Sequence, residues 1–261
     1  MAVFPQMGTG ASVQYPARRR RNTRTITNQA PDGTLIKLAD AQAAVTEWQL
    51  HYEGLTAEEA GTMRGFFAEM EGRLGSFTYL DPLWNLLAWS EQLDRSVWQR
   101  DPLLSVTAGV DDPLGTARAW RLHNTGQAAQ RITQTLEAPA AFSYCLSLYA
   151  RSAAAATVSL VRDGAGTGRE TGPDWRRLVL PGSSESQAET VTFGIEVAAG
   201  GTVEVFGLQV EAQIGASGYK ATGSQGGVYQ GARFADDVLT VTCTDVGRYG
   251  CGLRIMHGNH S

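Results

Sequence analysis

The sequence predicts a mainly β protein in which a discontinuous β-sandwich-type domain with one helix is interrupted by an inserted antiparallel jelly-roll domain. Only one segment has the spacing of a capped helix, and the runs that follow it alternate like strands between Gly- and Pro-rich turns. The last segment, about 40 residues long, is too short to bury a core of its own and should complete the first domain. The expected boundaries are 1–83 and 223–261 for the split domain and 84–222 for the insertion.

The composition excludes several classes of protein. The 261 residues are 43% hydrophobic and 18% charged, which is typical of a globular chain rather than a disordered one. A net charge of -4 argues against a dedicated nucleic-acid-binding protein. The three cysteines lack metal-type spacing, and no apolar run reaches the ~18 residues of a membrane helix. We therefore expect a soluble protein without membrane insertion, made in a reducing cytoplasm.

The first strand signals lie in the split domain. The Pro-Asp-Gly sequence at 31–33 predicts a turn. In 45–52, the large side chains of Trp48, Leu50 and Tyr52 alternate with more polar residues. This period of two predicts a strand that turns its apolar side towards a core.

The one convincing helix follows this strand. Thr56 and Glu59 have the spacing of a capping box, in which a hydroxyl and a carboxylate satisfy each other's backbone amides. Apolar residues then recur at steps of three and four. Gly72 is placed to close the helix in a left-handed conformation, and a short aromatic strand then ends at Pro82.

The texture changes after this unit. Strand-like runs at 142–150, 191–197 and 202–212 are separated by turns rich in Gly, Pro and Ser. Spaced strands without helices predict an antiparallel sandwich or jelly roll. After a small flexible stretch, two further strands at 238–243 and 252–255 should form a hairpin of the split domain.

Enzyme motifs are absent from the sequence. It contains no G-x-S-x-G elbow, H-E-x-x-H helix or phosphate-binding loop, so no catalytic residue is assigned and no cofactor is expected. The glycines at 164–168 lead into no helix and are better explained by a hairpin turn. A structural Ca²⁺ held by the carboxylates and carbonyls of sandwich loops is the one metal alternative left open.

A run of arginines, Arg18, Arg19, Arg20 and Arg21, allows two interpretations. It can be a solvated or subunit-facing strand segment, since alternate residues of a strand point in opposite directions. It can also form a positive ring on oligomerisation, facing a channel that carries DNA.

Aromatic residues supply the candidate sugar contacts. An exposed aromatic ring can stack on the apolar side of a sugar, whereas a buried one is simply core. Trp98 and Trp175 lie in polar surroundings, and Tyr149 follows the 142–150 alternation. These three residues are the candidate carbohydrate-binding residues, with core packing as the alternative for each.

The segment GLTAEEAGTMRGFFAEMEGRLGSFTYLDP resembles the distal tail proteins and minor tail protein M of long-tailed bacteriophages. That family has a strand, an acidic capped helix, a glycine, and an aromatic strand ending at proline, followed by a further pair of strands. The positions that carry the resemblance are Leu55, Thr56, Glu58, Phe66, Phe67, Gly72, Phe77, Tyr79, Asp81 and Pro82.

The middle of the chain resembles a carbohydrate-binding-module-like jelly roll found in phage tail proteins. The resemblance lies in the succession NLLAWSEQLDRSVW, DPLGTARAW, RITQTL, FSYCLSLYARS, PDWRR and LQVEAQIGASGYKAT. The matching positions are Asn85, Leu86, Leu87, Ser90, Trp98, Gly115, Ala119, Gln134, Tyr149, Trp175, Gln209, Glu211, Ser217, Tyr219 and Thr222. They define the fold rather than a sugar site.

Together these resemblances imply a structural protein of the virion tail, assembled in the host cytoplasm. It would form a homo-oligomeric ring, by resemblance a hexamer, that joins the tail tube to the tip or hub, with DNA present only as it passes through the channel. The peripheral jelly roll would contact host-surface glycans or neighbouring tail proteins. A free-standing carbohydrate-binding module and a tail-associated glycan hydrolase remain the alternatives, and the hydrolase needs a pair of carboxylates about 5–9.5 Å apart.

Overall fold

The structure is a computed structural model that describes residues 2–258. Strands hold 52% of the residues and helix 5%, with one helix in the described range. The sheets are antiparallel. The predicted mainly β class with a single helix is therefore confirmed.

The elements follow one another along the chain as β1 (Gln14–Gln29), β2 (Leu35–Leu55), α1 (Ala57–Glu69), β3 (Phe77–Leu80), β4 (Gln99–Arg100), β5 (Leu104–Val110), β6 (Ala119–Asn124), β7 (Gln130–Leu136), β8 (Tyr144–Arg151), β9 (Ala156–Arg162), β10 (Ala165–Thr171), β11 (Arg176–Gly182), β12 (Val191–Val197), β13 (Thr202–Glu211), β14 (Val228–Phe234), β15 (Val241–Asp245) and β16 (Arg248–Gly258).

The described chain divides into two compact units. Unit 1 comprises residues 2–8, 13–79 and 229–258, and unit 2 comprises residues 9–12 and 80–228. The divisions fall at 79/80 and 228/229, a few residues from the positions 83/84 and 222/223 expected from the sequence. The short segment 9–12 belongs to unit 2, which the sequence did not indicate. Residues 1 and 259–261 of the predicted split domain lie outside the described residues.

Unit 1 is built on one sheet with the order β1-β2-β16-β14-β3, and β15 pairs with β16. The pairing of β16 with β2 joins the C-terminal segment to the first part of the chain, from Tyr249 opposite Leu55 to Gly258 opposite Val45. Aromatic side chains fill the core beneath. Trp48 contacts Tyr79 and Tyr229 with ring centroids 4.9 and 4.7 Å apart.

Helix α1 packs its apolar side on this core. The capping box predicted at Thr56 and Glu59 is present, with both reciprocal hydrogen bonds formed. Hydrogen bonds from backbone amides, first that of Thr56, hold the pKa of Glu59 below its usual range. Beyond the helix, Gly72 has a φ of 62°, the left-handed conformation expected of a residue that ends a helix. Phe66 reaches Phe77 with a centroid separation of 5.2 Å.

Strands β1 and β2 form a hairpin much longer than the sequence indicated. The turn at 31–33 is present, and Gly33 has a φ of 86°. The register pairs Asn22 with Val45 and Gln29 with Leu35. Over 21–39 nearly every side chain is exposed on both faces of the hairpin.

Unit 2 is a sandwich of two five-stranded sheets, with the orders β10-β9-β12-β7-β4 and β11-β8-β13-β6-β5. One apolar core cluster draws side chains from both sheets. Tyr144 and Phe193, which come from different sheets, contact each other at 5.2 Å between ring centroids. The inner faces thus pack together, as in a sandwich or jelly roll.

The first and last segments of unit 2 are fastened to each other by a fully buried amide. The Nδ2 of Asn85 donates to the carbonyls of Leu208 and Lys220 at 2.9 and 3.2 Å. Its Oδ1 accepts from the backbone N–H groups of Leu87 and Val210 at 3.1 and 3.0 Å. These four bonds satisfy both ends of the side chain, so its burial costs little.

A close backbone approach accompanies this junction. A Cβ atom at Gly226 would lie 2.2 Å from the carbonyl oxygen of Leu86, so only glycine fits there. The N–H of the next residue, Gly227, donates to the carbonyl of Asn85 at 2.8 Å. The stretch that the sequence marked as small and flexible is therefore held against the start of the unit.

We predict that Phe77→Ala destabilises unit 1 by about 3–5 kcal/mol, because it opens a cavity in the aromatic core. Phe77 is 2% exposed and contacts Phe66 and Phe234. Urea unfolding followed by tryptophan fluorescence measures the change. The matched control is Val246→Ala, at a side chain 96% exposed, which should leave the unfolding midpoint unchanged. An equal effect of both substitutions would contradict the assignment of Phe77 to the core.

Candidate functional site

The four consecutive arginines of β1 do not form one surface. Arg18 and Arg20 point to one face of the sheet, and Arg19 and Arg21 point to the other, because alternate strand residues face opposite ways. At most two of the four can therefore face the same channel. This corrects the interpretation of 18–21 as a single lumen-facing set.

Two of these arginines have partners within unit 1. Arg19 lies opposite Trp48 on the core side, and its Nη2 donates to the hydroxyl of Tyr229 at 2.8 Å. Arg20 lies on the other face and pairs with Glu47 at 2.9 Å. The side chain of Arg20 is 55% exposed, so solvent screens this pair and it stabilises the fold only slightly.

Trp98 is a core residue. It is 5% exposed, lies in the apolar cluster of unit 2, and donates its indole N–H to the carbonyl of Trp89 at 3.1 Å. No ring face is left for a sugar. The polar residues around it in the sequence suggested an open position, and the structure corrects this.

Tyr149 and Trp175 lie on one face of the sheet that contains β8, away from the sandwich core. Tyr149 stands opposite Arg177 in the register of β8 and β11, and the Arg177 guanidinium lies 5.7 Å from its ring centroid. The Arg151 guanidinium lies 4.7 Å from the ring centroid of Trp175. Both rings are half-buried. The structure therefore brings these two residues to one surface, with a guanidinium over each ring.

Glu204 joins two arginines on the same face. Its Oε1 accepts from Nε and Nη2 of Arg121 at 3.1 and 2.6 Å, and its Oε2 accepts from Nε of Arg151 at 2.7 Å. Burial acts to raise the pKa of Glu204, but the hydrogen bonds from Arg121 and Arg151 outweigh it and hold the pKa below its usual range. Glu204 is thus a carboxylate that fixes the two guanidinium groups.

These three charged residues border a cavity of about 720 Å³ in unit 2. This volume lies within the range typical of small-molecule sites. Its lining combines the charged groups with a run of small apolar side chains and consists of Arg121, Arg151, Ser152, Ala153, Ala154, Ala155, Ala156, Pro173, Thr202 and Glu204. The arrangement can therefore bind a polar ligand through guanidinium N–H groups beside an apolar wall.

The sequence did not identify this group of residues. The alternation of Arg121 with Trp120 and Leu122 does place Arg121 on the outer face of its strand, and Glu204 alternates with Val203 and Val205 in the same way. What the sequence lacks is the cross-strand register. Only the pairing of β13 with both β6 and β8 puts Arg121 and Arg151 on either side of Glu204.

Buried carboxylates elsewhere in unit 2 are taken up by protein donors. Asp112 accepts from the N–H of Leu114 at 2.7 Å, and Glu211 accepts from Lys220 Nζ at 3.1 Å. Within residues 2–258, no three His, Cys, Asp or Glu side chains are grouped in a way that could hold a metal ion. Over the same residues, no helix has the length and apolar character needed to cross a membrane.

Neither a family model nor a curated protein matches the sequence. Among solved structures, a domain of the bacteriophage CBA120 tailspike protein 4 is similar over 51% of this chain and 22% of its own, with 17% identity and a TM-score of 0.38. The CBM22-1 xylan-binding domain of Paenibacillus barcinonensis Xyn10C is similar over 51% of this chain and 96% of its own, with 13% identity and a TM-score of 0.40.

A third similar structure is TmCBM61 bound to β-1,4-galactotriose, with 14% identity, a TM-score of 0.37, and coverage of 48% of this chain and 97% of its own. The structural neighbours thus include a phage tailspike domain and carbohydrate-binding modules, and this chain spans about a fifth of the tailspike structure. Because the TM-scores and identities are low, the functional argument rests on the geometry of the chain itself.

We predict that Glu204→Gln lowers the melting temperature at pH 7, because it removes the carboxylate that pairs with two arginines. A carboxyl group whose pKa is lowered in the folded state stabilises the fold above its ordinary pKa, and the stabilisation is lost as the pH falls through the lowered value. The difference in melting temperature should therefore close below about pH 4.

The matched control for this pH series is Glu185→Gln. Glu185 is exposed, and its side chain is not part of any of the ion pairs around the cavity. Thermal scans of the parent and both variants between pH 7 and pH 3 give the measurement. A gap between the parent and Glu204→Gln that widens in acid would contradict the ion-pair account.

Proposed function

We propose that the protein is a structural component of a phage tail, without catalytic activity of its own, that assembles into a ring with copies of itself and contacts host-surface glycans through its jelly-roll unit. The β1–β2 hairpin is the observation that carries this proposal. The distal-tail-like segment around α1 supports the same class of protein. Assembly would take place in the host cytoplasm, and the partners would be further tail proteins of the tube, tip or hub.

The outer part of the hairpin has the character of an assembly surface. β16 pairs with β2 from Val45 onwards, so over 35–44 the only strand that pairs with β2 in the described chain is β1. A two-stranded ribbon is marginally stable in water when nothing packs against it. Packing against a second copy supplies what the ribbon lacks.

Apolar side chains lie where such a partner would contact the ribbon. Ile26 stands opposite Leu38, and Ile36 occupies the same face two residues along. They are 40%, 52% and 47% exposed. β1 is also the edge strand of its sheet in the described chain, with backbone groups available for pairing. A closed ring of copies covers both the apolar side chains and the edge.

The arginines suit the channel of such a ring. Arg18 and Arg20 share the face of the sheet opposite the aromatic core, and Arg18 is exposed. A ring that repeats this pair around its axis gives a positive lining along which DNA can pass without sequence-specific contacts. By resemblance to the distal tail proteins, we propose a hexamer.

The jelly roll supplies the recognition surface. The cavity beside Arg121, Arg151 and Glu204 presents hydrogen-bond donors at its edge. Repetition around a ring converts weak individual contacts into strong attachment. Glu204 is the only carboxylate that lines this cavity. Glycoside hydrolysis normally needs two, so the cavity favours binding over cleavage.

We predict that Ile36→Lys combined with Leu38→Lys weakens self-association by two orders of magnitude or more, since each subunit contact would then bury unpaired charges at a cost of several kcal/mol. Light scattering coupled to size-exclusion chromatography measures the mass. The parent should form a closed oligomer and the double variant should be a monomer with an unchanged melting temperature.

Thr27→Lys is the matched control. Thr27 lies on the opposite face of the same ribbon, paired with Lys37, so the added charge leaves the apolar face intact and the oligomer should persist. A parent protein that remains a monomer at high micromolar concentration while binding glycan would instead favour a free-standing carbohydrate-binding module.

A further inference from the structure

The cavity of unit 2 contains more cationic than anionic groups. Of its lining residues, Arg121 and Arg151 are basic and Glu204 alone is acidic. The two arginine side chains are 54% and 30% exposed, whereas that of Glu204 is 14% exposed. The cations therefore reach solvent and the carboxylate lies behind them.

The hydrogen bonds leave donors available at the cavity. A guanidinium carries five N–H groups. Glu204 accepts from Nε and Nη2 of Arg121 and from Nε of Arg151, and a long contact of 3.5 Å joins Nη2 of Arg151 to the carbonyl of Asp111. Nη1 of each arginine makes no hydrogen bond or ion pair within the described chain. Two cationic donors thus remain for a ligand.

The arginines are also held in position. Both are anchored by the same carboxylate, and Arg151 is stacked on Trp175 at 4.7 Å. Because a guanidinium fixed in this way loses little further conformational entropy on binding, its remaining N–H groups are preorganised. The planar fork of arginine matches the two oxygens of a carboxylate.

The remaining wall is apolar and small. The run Ala153–Ala156 and Pro173 border the cavity opposite the charged groups. Such a wall can contact the C–H groups of a sugar ring while polar substituents face the arginines. The cavity thus combines an apolar platform with two aligned cations, which a neutral sugar would leave unpaired.

We propose that this cavity binds an acidic saccharide, in which the carboxylate of a uronic-acid-type sugar accepts hydrogen bonds from Arg121 and Arg151. The inference rests on the proposed contact of the jelly roll with glycans and names the class of glycan. The ring assembled by the hairpin plays no part in it.

The test uses matched pairs of oligosaccharides that differ only in charge. The full-length protein is titrated calorimetrically with tetragalacturonate and with its methyl ester, and with a panel of other uronic-acid oligosaccharides and their methyl esters. We expect at least one acid to bind about tenfold or more tightly than its ester, with an affinity that falls as salt rises.

Variants of the two arginines make the test specific. Arg121→Gln and Arg151→Gln should each weaken binding of the acid by about tenfold and leave binding of the ester unchanged. Arg151→Lys should restore only part of the loss, since an ammonium cannot bind a carboxylate in the same bidentate way. The control is Arg100→Gln, at an exposed arginine of the other sheet, which should have no effect.

Each outcome decides between the two proposals. Equal binding of acid and ester, insensitive to Arg121→Gln and Arg151→Gln, would overturn the acidic-saccharide inference and leave the glycan contact standing. Failure of every pair to bind would overturn both. Loss of acid binding in the arginine variants, with folding verified by circular dichroism, would establish the site.

Discussion

The buried side chain of Asn85 is the constraint on which the sandwich unit depends. Its four hydrogen bonds tie the segment that begins the unit to the strand and loop that end it, at Leu208, Val210 and Lys220. A hydrophobic residue here would orphan buried backbone groups at a cost of about 1–3 kcal/mol each. With the two segments joined, β13 is fixed between β6 and β8, and this pairing sets the register of the whole outer face.

The proposed functions use two kinds of surface. Arg121, Arg151 and Glu204 sit on strands whose opposite faces are buried in a core, so their positions are fixed before any ligand arrives. The outer hairpin at 22–44 has no such support, and its exposed apolar residues gain a packed environment only through a partner. One surface is therefore rigid and suited to recognition, and the other is incomplete and suited to assembly.

Local chemistry could be predicted from the sequence, and long-range register could not. The capping box at Thr56 is formed by residues three positions apart, so the helix start was visible. The outer hairpin at 22–44 is solvated on both faces and therefore has no apolar period to reveal its length. Trp98 looked open because its sequence neighbours are polar, yet its environment comes from distant strands. The grouping of Arg121 with Glu204 depends on strand pairing across about 80 residues, for which a single sequence carries no signal.

The junction at Gly226 and Asn85 has a consequence for how such a chain can evolve. The two ends of the sandwich unit run side by side, with the amide of Gly227 bonded to the carbonyl of Asn85 at 2.8 Å. A module whose termini meet imposes no span on the polypeptide that carries it. Recombination can therefore exchange residues 80–228 for a different cassette with adjacent termini, changing host range in one genetic event while the carrier keeps its own fold.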